Sequence, residues 1–423
     1  MLDRKLIRKD PERVRAGIAA KGARFDLDGF LLLDERMRDL LQETEALKHR
    51  RNTVSQDISR LKKEGGDVSA LLAEMKQTSA RIKEIDAELK ETEERMQQIE
   101  LTVPNLPHRT VPPGTCAKDN PVVRESGPIP ELPFQPLPHW EIGETLGVLD
   151  LDAGAMLSGR GFVVLRGDGA RLSRALSALM LDIHRDQGYL EYAVPYLVGR
   201  EAMVGTGQLP KMEEDMYLCE KDDLFLIPTA EVPLTNLYRG AILDGDLLPI
   251  RATALTPCFR REAGSYGQDT RGMIRVHQFD KVEMVRWTTP ETSYDDLEVL
   301  LGDACAVLDA LELPYRVIEL CGADLSFSAA KCYDIETWSP GVGRWLEVSS
   351  CSNFEDFQAR RGGIRFRRGA GARPEFVHTL NGSGLALPRV IATILEMNQT
   401  PTGKVRIPKA LVPYLGGQEY LEA

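Results

Sequence analysis

Between residues 28 and 103, apolar side chains recur with the rhythm of paired helices. Leu33, Met37, Leu40, Thr44, Leu47, Arg51, Val54, Ile58 and Leu61 step by four and three in alternation. That is the a/d seam of a coiled coil, with Thr44 and Arg51 as its polar interruptions. Gly65-Gly66-Asp67 breaks the run, and Val68, Met75, Ile82, Leu89, Met96 and Val103 then recur every seven residues. The pattern predicts an antiparallel hairpin of two helices, each of roughly 35 residues, forming an arm about 50 Å long. Met1 to Gly22 is expected to add one short helix at the base of this arm. A seam covers only one side of each helix, so the outer faces remain available. Lys48, Arg50, Arg51, Arg60, Lys62 and Lys63 gather on the first helix toward its tip. Such cations suit nucleic-acid phosphates, and equally a solvated coiled-coil surface or a dimerisation coil.

Proline dominates next, from Pro104 and Pro107 through Pro112, Pro113 and Pro121 to Pro138. Proline sustains neither a helix nor a central strand. A domain boundary is therefore expected near residue 110, giving regions 1–110 and 111–423 joined by an extended or looped connector. Farther on, Leu172, Ala175, Leu176, Leu179, Met180 and Ile183 mark an amphipathic helix. It should end at Gln187-Gly188 through a glycine C-cap. Tyr189 to Pro195 reads as a strand, and Pro195, lacking a donor, places it at an edge or boundary.

The richest chemistry lies in Phe259-Arg260-Arg261-Glu262 and in Arg275 to Glu283. Both alternate as strands do, and the Gly-rich stretch from Ala263 to Gly272 reads as a long hairpin loop. Side chains two apart share a sheet face. Arg260 and Glu262 then point one way. Arg275, His277, Phe279, Lys281 and Glu283 share one face, with Ile274, Val276, Asp280 and Val282 on the other. A row of cations, an aromatic ring and a carboxylate suits phosphates, a flat base and an ammonium group. A solvent-exposed strand pair is the plainer alternative. Upstream, Thr229-Ala230-Glu231 follows the apolar run Leu224 to Pro228, and Thr229 and Glu231 share a face if the backbone stays extended.

Composition narrows the class. A net charge of −11 disfavours indiscriminate nucleic-acid binding but leaves room for a local basic patch. The seven cysteines are scattered without a Cys-x-x-Cys, which favours reduced thiols and a cytoplasmic protein. No apolar run reaches membrane-spanning length, and Met1 to Asp10 has no signal-peptide core. Gly403-Lys404 is followed by Val405, so it is not a P-loop. Gly159-Arg160-Gly161 reads as a turn. Arg360, Arg361, Arg365, Arg367 and Arg368 form a basic cluster, expected at a strand-edge surface facing solvent or RNA.

The segment RREAGSYGQDTRGMIRVHQFDKVE resembles motif 2 of the class II aminoacyl-tRNA synthetases, in the form carried by seryl-tRNA synthetases. The helix and strand ending at Pro195 are similar to motif 1, which builds the dimer interface in that class. Leu380-Asn381-Gly382-Ser383-Gly384-Leu385-Ala386-Leu387-Pro388-Arg389 resembles motif 3, a glycine-bearing strand entering a helix that presents one arginine; Ala386 and Pro388 depart from it where glycines often stand.

The resemblance implies an α+β fold, an antiparallel sheet flanked by helices, with the N-terminal coiled-coil arm gripping tRNA(Ser). It leaves tRNA(Sec) open. It implies a cytoplasmic homodimer that activates L-serine with ATP and Mg²⁺. Arg260 and Glu283 are the implied catalytic residues, and Thr229, Ala230, Glu231, Asn381 and Ser383 complete the serine pocket. Arg260, Arg261, Glu262, Arg275, Val276, Phe279, Glu347, Val348, Ser349, Ser350 and Arg389 would hold ATP. Glu347 and Ser350 would hold Mg²⁺, a hard ion that shares its shell with phosphates and water. Residues three apart do not share a face on a regular strand, so a bulge or strand end is required between these two. Glu283→Ala is expected to destroy serine activation and leave the fold intact. A ligase for another amino acid and a noncatalytic coiled-coil adaptor remain open as alternatives.

Overall fold

The computed structural model describes residues 1–263 and 271–423. Most of the expected hairpin loop, residues 264–270, lies outside the described residues. The chain divides into two compact units. One comprises 2–19 and 23–103; the other comprises Met1, 20–22 and 104–423.

In the first unit, helices α1 (Arg4–Lys9) and α2 (Pro11–Ala20) precede the long pair α3 (Leu27–Lys63) and α4 (Ser69–Thr102). The single short helix expected before the arm is thus two. Pro11 lacks the N–H that would continue α1 and instead opens α2, where that loss is harmless. Arg4 joins α1 to α4 through Glu93 at 3.0 Å and buried Glu100 at 2.8 Å, and Arg8 reaches buried Asp34 of α3 at 2.7 Å. The long helices meet along Leu40, Thr44, Val54 and Ile58 on one side and Ile82, Ile85 and Met96 on the other, all buried. The seven-residue repeat in α4 identified only half of its seam. Thr78, Ile85 and Thr92, three positions after its members, are buried as well. Gly65, at φ 70°, makes the turn. Two of the tip-ward cations are engaged across the hairpin, Lys48 with Asp86 at 3.1 Å and Arg50 with Glu74 at 2.7 Å.

The second unit is built on an eight-stranded sheet. Its strands are β1 (Val122–Glu125), β2 (Leu190–Glu191), β3 (Ile250–Phe259), β4 (Gln278–Thr288), β5 (Tyr315–Glu319), β6 (Lys331–Ser339), β7 (Arg344–Asn353) and β8 (His378–Ala386). They lie side by side in the order β1-β5-β6-β7-β8-β4-β3-β2. All neighbours are antiparallel except β2 and β3. Part of the proline-rich connector is therefore edge strand β1, a position that tolerates nearby prolines because one side needs no donors. The strand expected over Tyr189 to Pro195 contracts to β2 at the opposite edge.

The helices that position the site are α5 (His139–Thr145), α6 (Asp168–Asp186), α7 (Glu231–Thr235), α8 (Ser293–Ala310), α9 (Phe357–Gly362) and α10 (Leu387–Met397). Leu172, Leu176 and Met180 of α6, Leu297, Leu300 and Ala304 of α8, and Val390, Ile391 and Ile394 of α10 share a core with Val282, Met284, Ile335 and Leu380 of the sheet. The opposite face carries a smaller cluster, including Ala230, Ala252, Ala254, Val285 and Trp287. The arginine cluster expected on one surface is dispersed instead. Arg361 is largely buried between the rings of Phe327 and Phe357 and donates to the carbonyls of Val204 and Leu209, and burial pulls its pKa down to about 10. Arg360 pairs with Asp356 at 2.8 Å, and Arg368 pairs with Glu291 and Glu375.

Candidate active site

A cavity of about 690 Å³ opens on the sheet face away from the large core. Its floor follows from strand register. Phe279, Lys281 and Glu283 of β4 stand opposite Cys258, Thr256 and Ala254 of β3. Because the β3 residues are small, the β4 side chains have room. On the other flank, Glu283 faces Ser383 and Val285 faces Asn381 of β8, and Asn381 faces Ser352 of β7. Paired residues share a face, so these polar groups converge.

The bulge required between Glu347 and Ser350 is present. Ile335 pairs with Ser349 but the next residue, Glu336, pairs with Glu347, leaving Val348 extra. The insertion resets the alternation, and Glu347 and Ser350 both line the cavity. Ser349 falls on the other face, where its hydroxyl donates to the Ser383 carbonyl at 2.6 Å.

The strand expected from Arg275 onward begins only at Gln278. Met273, Ile274, Arg275 and Val276 are consecutive and all line the cavity, which no strand alternation allows. His277 is not among the lining residues. It stacks near Phe162, and its Nδ1 lies 3.0 Å from the Arg260 carbonyl. On the first half of the motif, β3 ends at Phe259, and Arg260 and Glu262 enter the cavity beyond it. Glu262 does so from left-handed backbone at φ 52°. Arg261 turns aside to Met216, donating to its carbonyl at 3.0 Å, and does not line the cavity.

The Thr229–Glu231 backbone is not extended. Ala230 is helical and α7 starts at Glu231. The turn still directs Thr229 and Glu231 into the cavity, while Ala230 is buried in the smaller core cluster. Thr229 Oγ1 donates to Glu283 Oε2 at 3.2 Å, and Asn381 Nδ2 donates to Glu231 Oε2 at 2.9 Å and to Glu283 Oε1 at 3.2 Å. Lys281 forms an ion pair with Glu283. Glu283 itself is wholly buried beneath these partners. Glu231 is buried too. That burial, and then the charge of Glu283, pushes its carboxyl up to about 7.

Arg260 lies between this acidic end and the rest of the cavity. Its guanidinium sits 5.2 Å from the centre of the Phe279 ring, and its Nε donates to the Pro228 carbonyl at 3.3 Å. Arg275 pairs with Glu262 at 2.6 Å. Arg389, in the first turn of α10, donates to the carbonyls of Ile274 at 3.0 Å and Glu347 at 2.6 Å.

Several neighbours escaped sequence reasoning. Thr206, Gly207 and Gln208 and the turn Ser326 to Ser328 wall the cavity. They carry no local motif. Behind the wall, His139 Nε2 accepts from the Met273 N–H at 2.9 Å while Nδ1 lies 2.7 Å from Glu396. An acceptor at Nε2 puts the proton on Nδ1, donating to the carboxylate. Burial alone would raise the Glu396 carboxyl, but the bonds from His139 and Ser339 hold it below its ordinary value. Glu396 thereby connects α10, through His139, to the segment carrying Ile274 and Arg275.

Comparison with known proteins gives concordant matches. Residues 1–107 match the seryl-tRNA synthetase N-terminal domain, and residues 217–398 match the tRNA synthetase class II core domain (G, H, P, S and T). A serine–tRNA ligase of Moorella thermoacetica is 59% identical over 418 residues, spanning 99% of this chain and 98% of that protein. One from Heliobacterium modesticaldum is 56% identical over 416 residues, spanning 98% and 99%. The crystal structure of seryl-tRNA synthetase from Pyrococcus horikoshii complexed with ATP superimposes with a TM-score of 0.95 at 37% identity, covering 100% of this chain and 99% of that one.

Proposed function

Because the chain belongs to the seryl-tRNA synthetase family, and is a class II ligase that joins serine to tRNA with ATP as substrate, we propose how its cavity divides that work. The end formed by Thr229, Glu231, Glu283, Asn381 and Ser383 takes serine. The end formed by Glu262, Phe279, Arg275 and Arg389 takes ATP, with Val276 and Val348 as apolar wall. The observation that carries this division is the position of Arg260 between the buried carboxylates and the Phe279 ring.

In the first step, an oxygen of the serine carboxylate attacks the α-phosphorus. The bond to the bridging oxygen breaks, and pyrophosphate leaves with its electron pair. No nucleophile from the protein is needed, so rate comes from alignment and charge stabilisation. Arg260 meets both the carboxylate and the α-phosphate. Glu231 faces the substrate ammonium, and Glu283, which lies behind the cavity wall formed by Thr229, Lys281 and Asn381, accepts from the substrate hydroxyl in place of its bond from Thr229. Phe279 stacks on adenine, Glu262 accepts from its amino group, and Arg275 and Arg389 hold the outer phosphates. In the second step, a terminal ribose hydroxyl of the tRNA attacks the carbonyl of the adenylate and AMP leaves. Arg261, Ser349 and Ala230 would act only through backbone or packing.

Glu347 and Ser350 fit Mg²⁺, since the bulge at Val348 brings two hard oxygens to one face beside Arg389. The ion, when bound, neutralises phosphate charge. The region 1–110 would engage tRNA(Ser) through the outer faces of α3 and α4, and tRNA(Sec) would use the same faces. A homodimer through the Pro195 region is supported by Leu190, Tyr196 and Leu197, which are 61%, 46% and 42% exposed around it. Seven free cysteines suit the cytoplasm, and among the described residues no helix is long and apolar enough to cross a membrane.

Serine-dependent exchange of labelled pyrophosphate into ATP tests the division. Exchange is expected with serine alone in an amino-acid panel. Purified protein that binds ATP yet shows no serine-dependent exchange would overturn it.

A further inference from the structure

Lys281 is the cation inside the acidic end of the cavity. The residue is only 5% exposed, yet it lines the cavity. An ammonium has three N–H donors, and here all three have acceptors: the Glu283 carboxylate, Thr229 Oγ1 at 2.9 Å and Ser383 Oγ at 3.3 Å. The partners of Lys281 are thus three of the groups assigned above to the serine end of the cavity. With its donors spent, Lys281 offers a substrate no hydrogen bond, only positive charge. Glu283 retains acceptor capacity, because each carboxylate oxygen accepts more than one bond. The surroundings therefore set three conditions on a substrate side chain. It must donate a hydrogen bond, it must not be anionic beside Glu231 and Glu283, and it must not be cationic beside Lys281.

We propose that Lys281 is a specificity-determining residue, which restricts the pocket to a neutral hydrogen-bond donor and excludes a cationic isostere of serine. This rests on the reading of that end of the cavity as the serine pocket. The discriminating probe is 2,3-diaminopropionate, in which a side-chain ammonium replaces the hydroxyl. With both of its amines protonated it keeps the size and still donates hydrogen bonds, while it adds a positive charge and gives up the hydroxyl's acceptor lone pairs. Selectivity of this kind is built from a repulsive element as well as an attractive one.

The test compares pyrophosphate exchange with serine and with 2,3-diaminopropionate in the wild-type enzyme, Lys281→Met and Lys281→Gln. Glutamine can still donate hydrogen bonds but carries no charge, so it would rescue a merely structural role. In both variants the kcat/KM ratio of diaminopropionate to serine should rise at least roughly thirtyfold, the lower end of the scale on which removing one member of a buried charge pair acts. The KM for serine should rise and the KM for ATP stay unchanged. A lone buried Glu283 could keep Lys281→Met from folding; Lys281→Gln, whose amide still donates to that carboxylate, then carries the test, with the fold of each variant checked by its melting temperature. A ratio within about twofold of wild type in the folded variants, or full recovery of discrimination by Lys281→Gln, overturns the proposal. Wild-type enzyme without serine-dependent exchange would instead refute the pocket reading itself.

Discussion

Glu231 shows how burial at one residue becomes a pH dependence. Its carboxyl titrates near 7 in the folded chain, against an ordinary value of 4.5. The folded state therefore holds this proton more tightly than the unfolded chain. The stability it contributes is full below pH 4.5 and is lost as pH rises through about 7. A shift of this size corresponds to roughly 3 kcal/mol. In ligand-free enzyme, Glu231→Gln should flatten the fall in thermal midpoint across that window, measured as melting temperature against pH. A slope identical to wild type would contradict the assignment. The ammonium of serine favours the ionised form, so the KM for serine should decrease as pH rises to about 7. Glu283 calls for a different substitution from the one its sequence position invited. Removing it to alanine leaves Lys281 buried without its counter-charge, a loss of about 3–5 kcal/mol. An intact fold is thus not expected of Glu283→Ala. Glu283→Gln is the cleaner probe, and it should abolish serine activation while ATP still binds, as followed by ATP-induced thermal shift.

Two elements carry predictions of their own. The segment from Gly272 to Arg275 is held by the His139–Glu396 pair rather than by a sheet ladder. Gly272 has φ 67°, and a Cβ there would overlap the His139 ring. Gly272→Ala should therefore displace Met273 to Arg275 and raise the KM for ATP about tenfold to a hundredfold, with a smaller effect on serine; equal effects on both substrates would argue against this segment as an ATP-side element. In the helical hairpin, Thr44 is buried in the seam and its hydroxyl has no hydrogen-bond partner among the described residues. Thr44→Val keeps the shape and removes the unpaired group, and should stabilise the hairpin by about 1 kcal/mol. Chemical denaturation followed by helical circular dichroism checks it, and a destabilised variant would count against the seam assignment.

On the scale of the whole molecule, the two units should separate by function. Deleting residues 35–97 should leave adenylate formation near wild type and abolish tRNA charging; a deletion enzyme that charges tRNA normally would remove the proposed role of the arm. Much of this layout was legible in the chain. Heptad spacing fixes which sides of α3 and α4 meet because helical neighbours lie only three and four residues apart. Strand alternation likewise put Phe279, Lys281 and Glu283 on one face. Assigning Glu347 and Ser350 to one ion required a bulge or a strand end between them, but the register that inserts Val348 comes from pairing with β6. Alternation could not foresee that 273–276 would leave the strand path, because His139 and Glu396, far away in sequence, hold that segment. Nor did anything local mark residues 206–208 or 326–328 as cavity wall. The sequence by itself determined element type and side-chain facing within each regular stretch, since those depend on neighbours along the chain. Only the tertiary structure decided the depth of Glu283, the ion pair that covers it and the raised pKa of Glu231, because burial and electrostatic coupling arise from groups that meet only after folding.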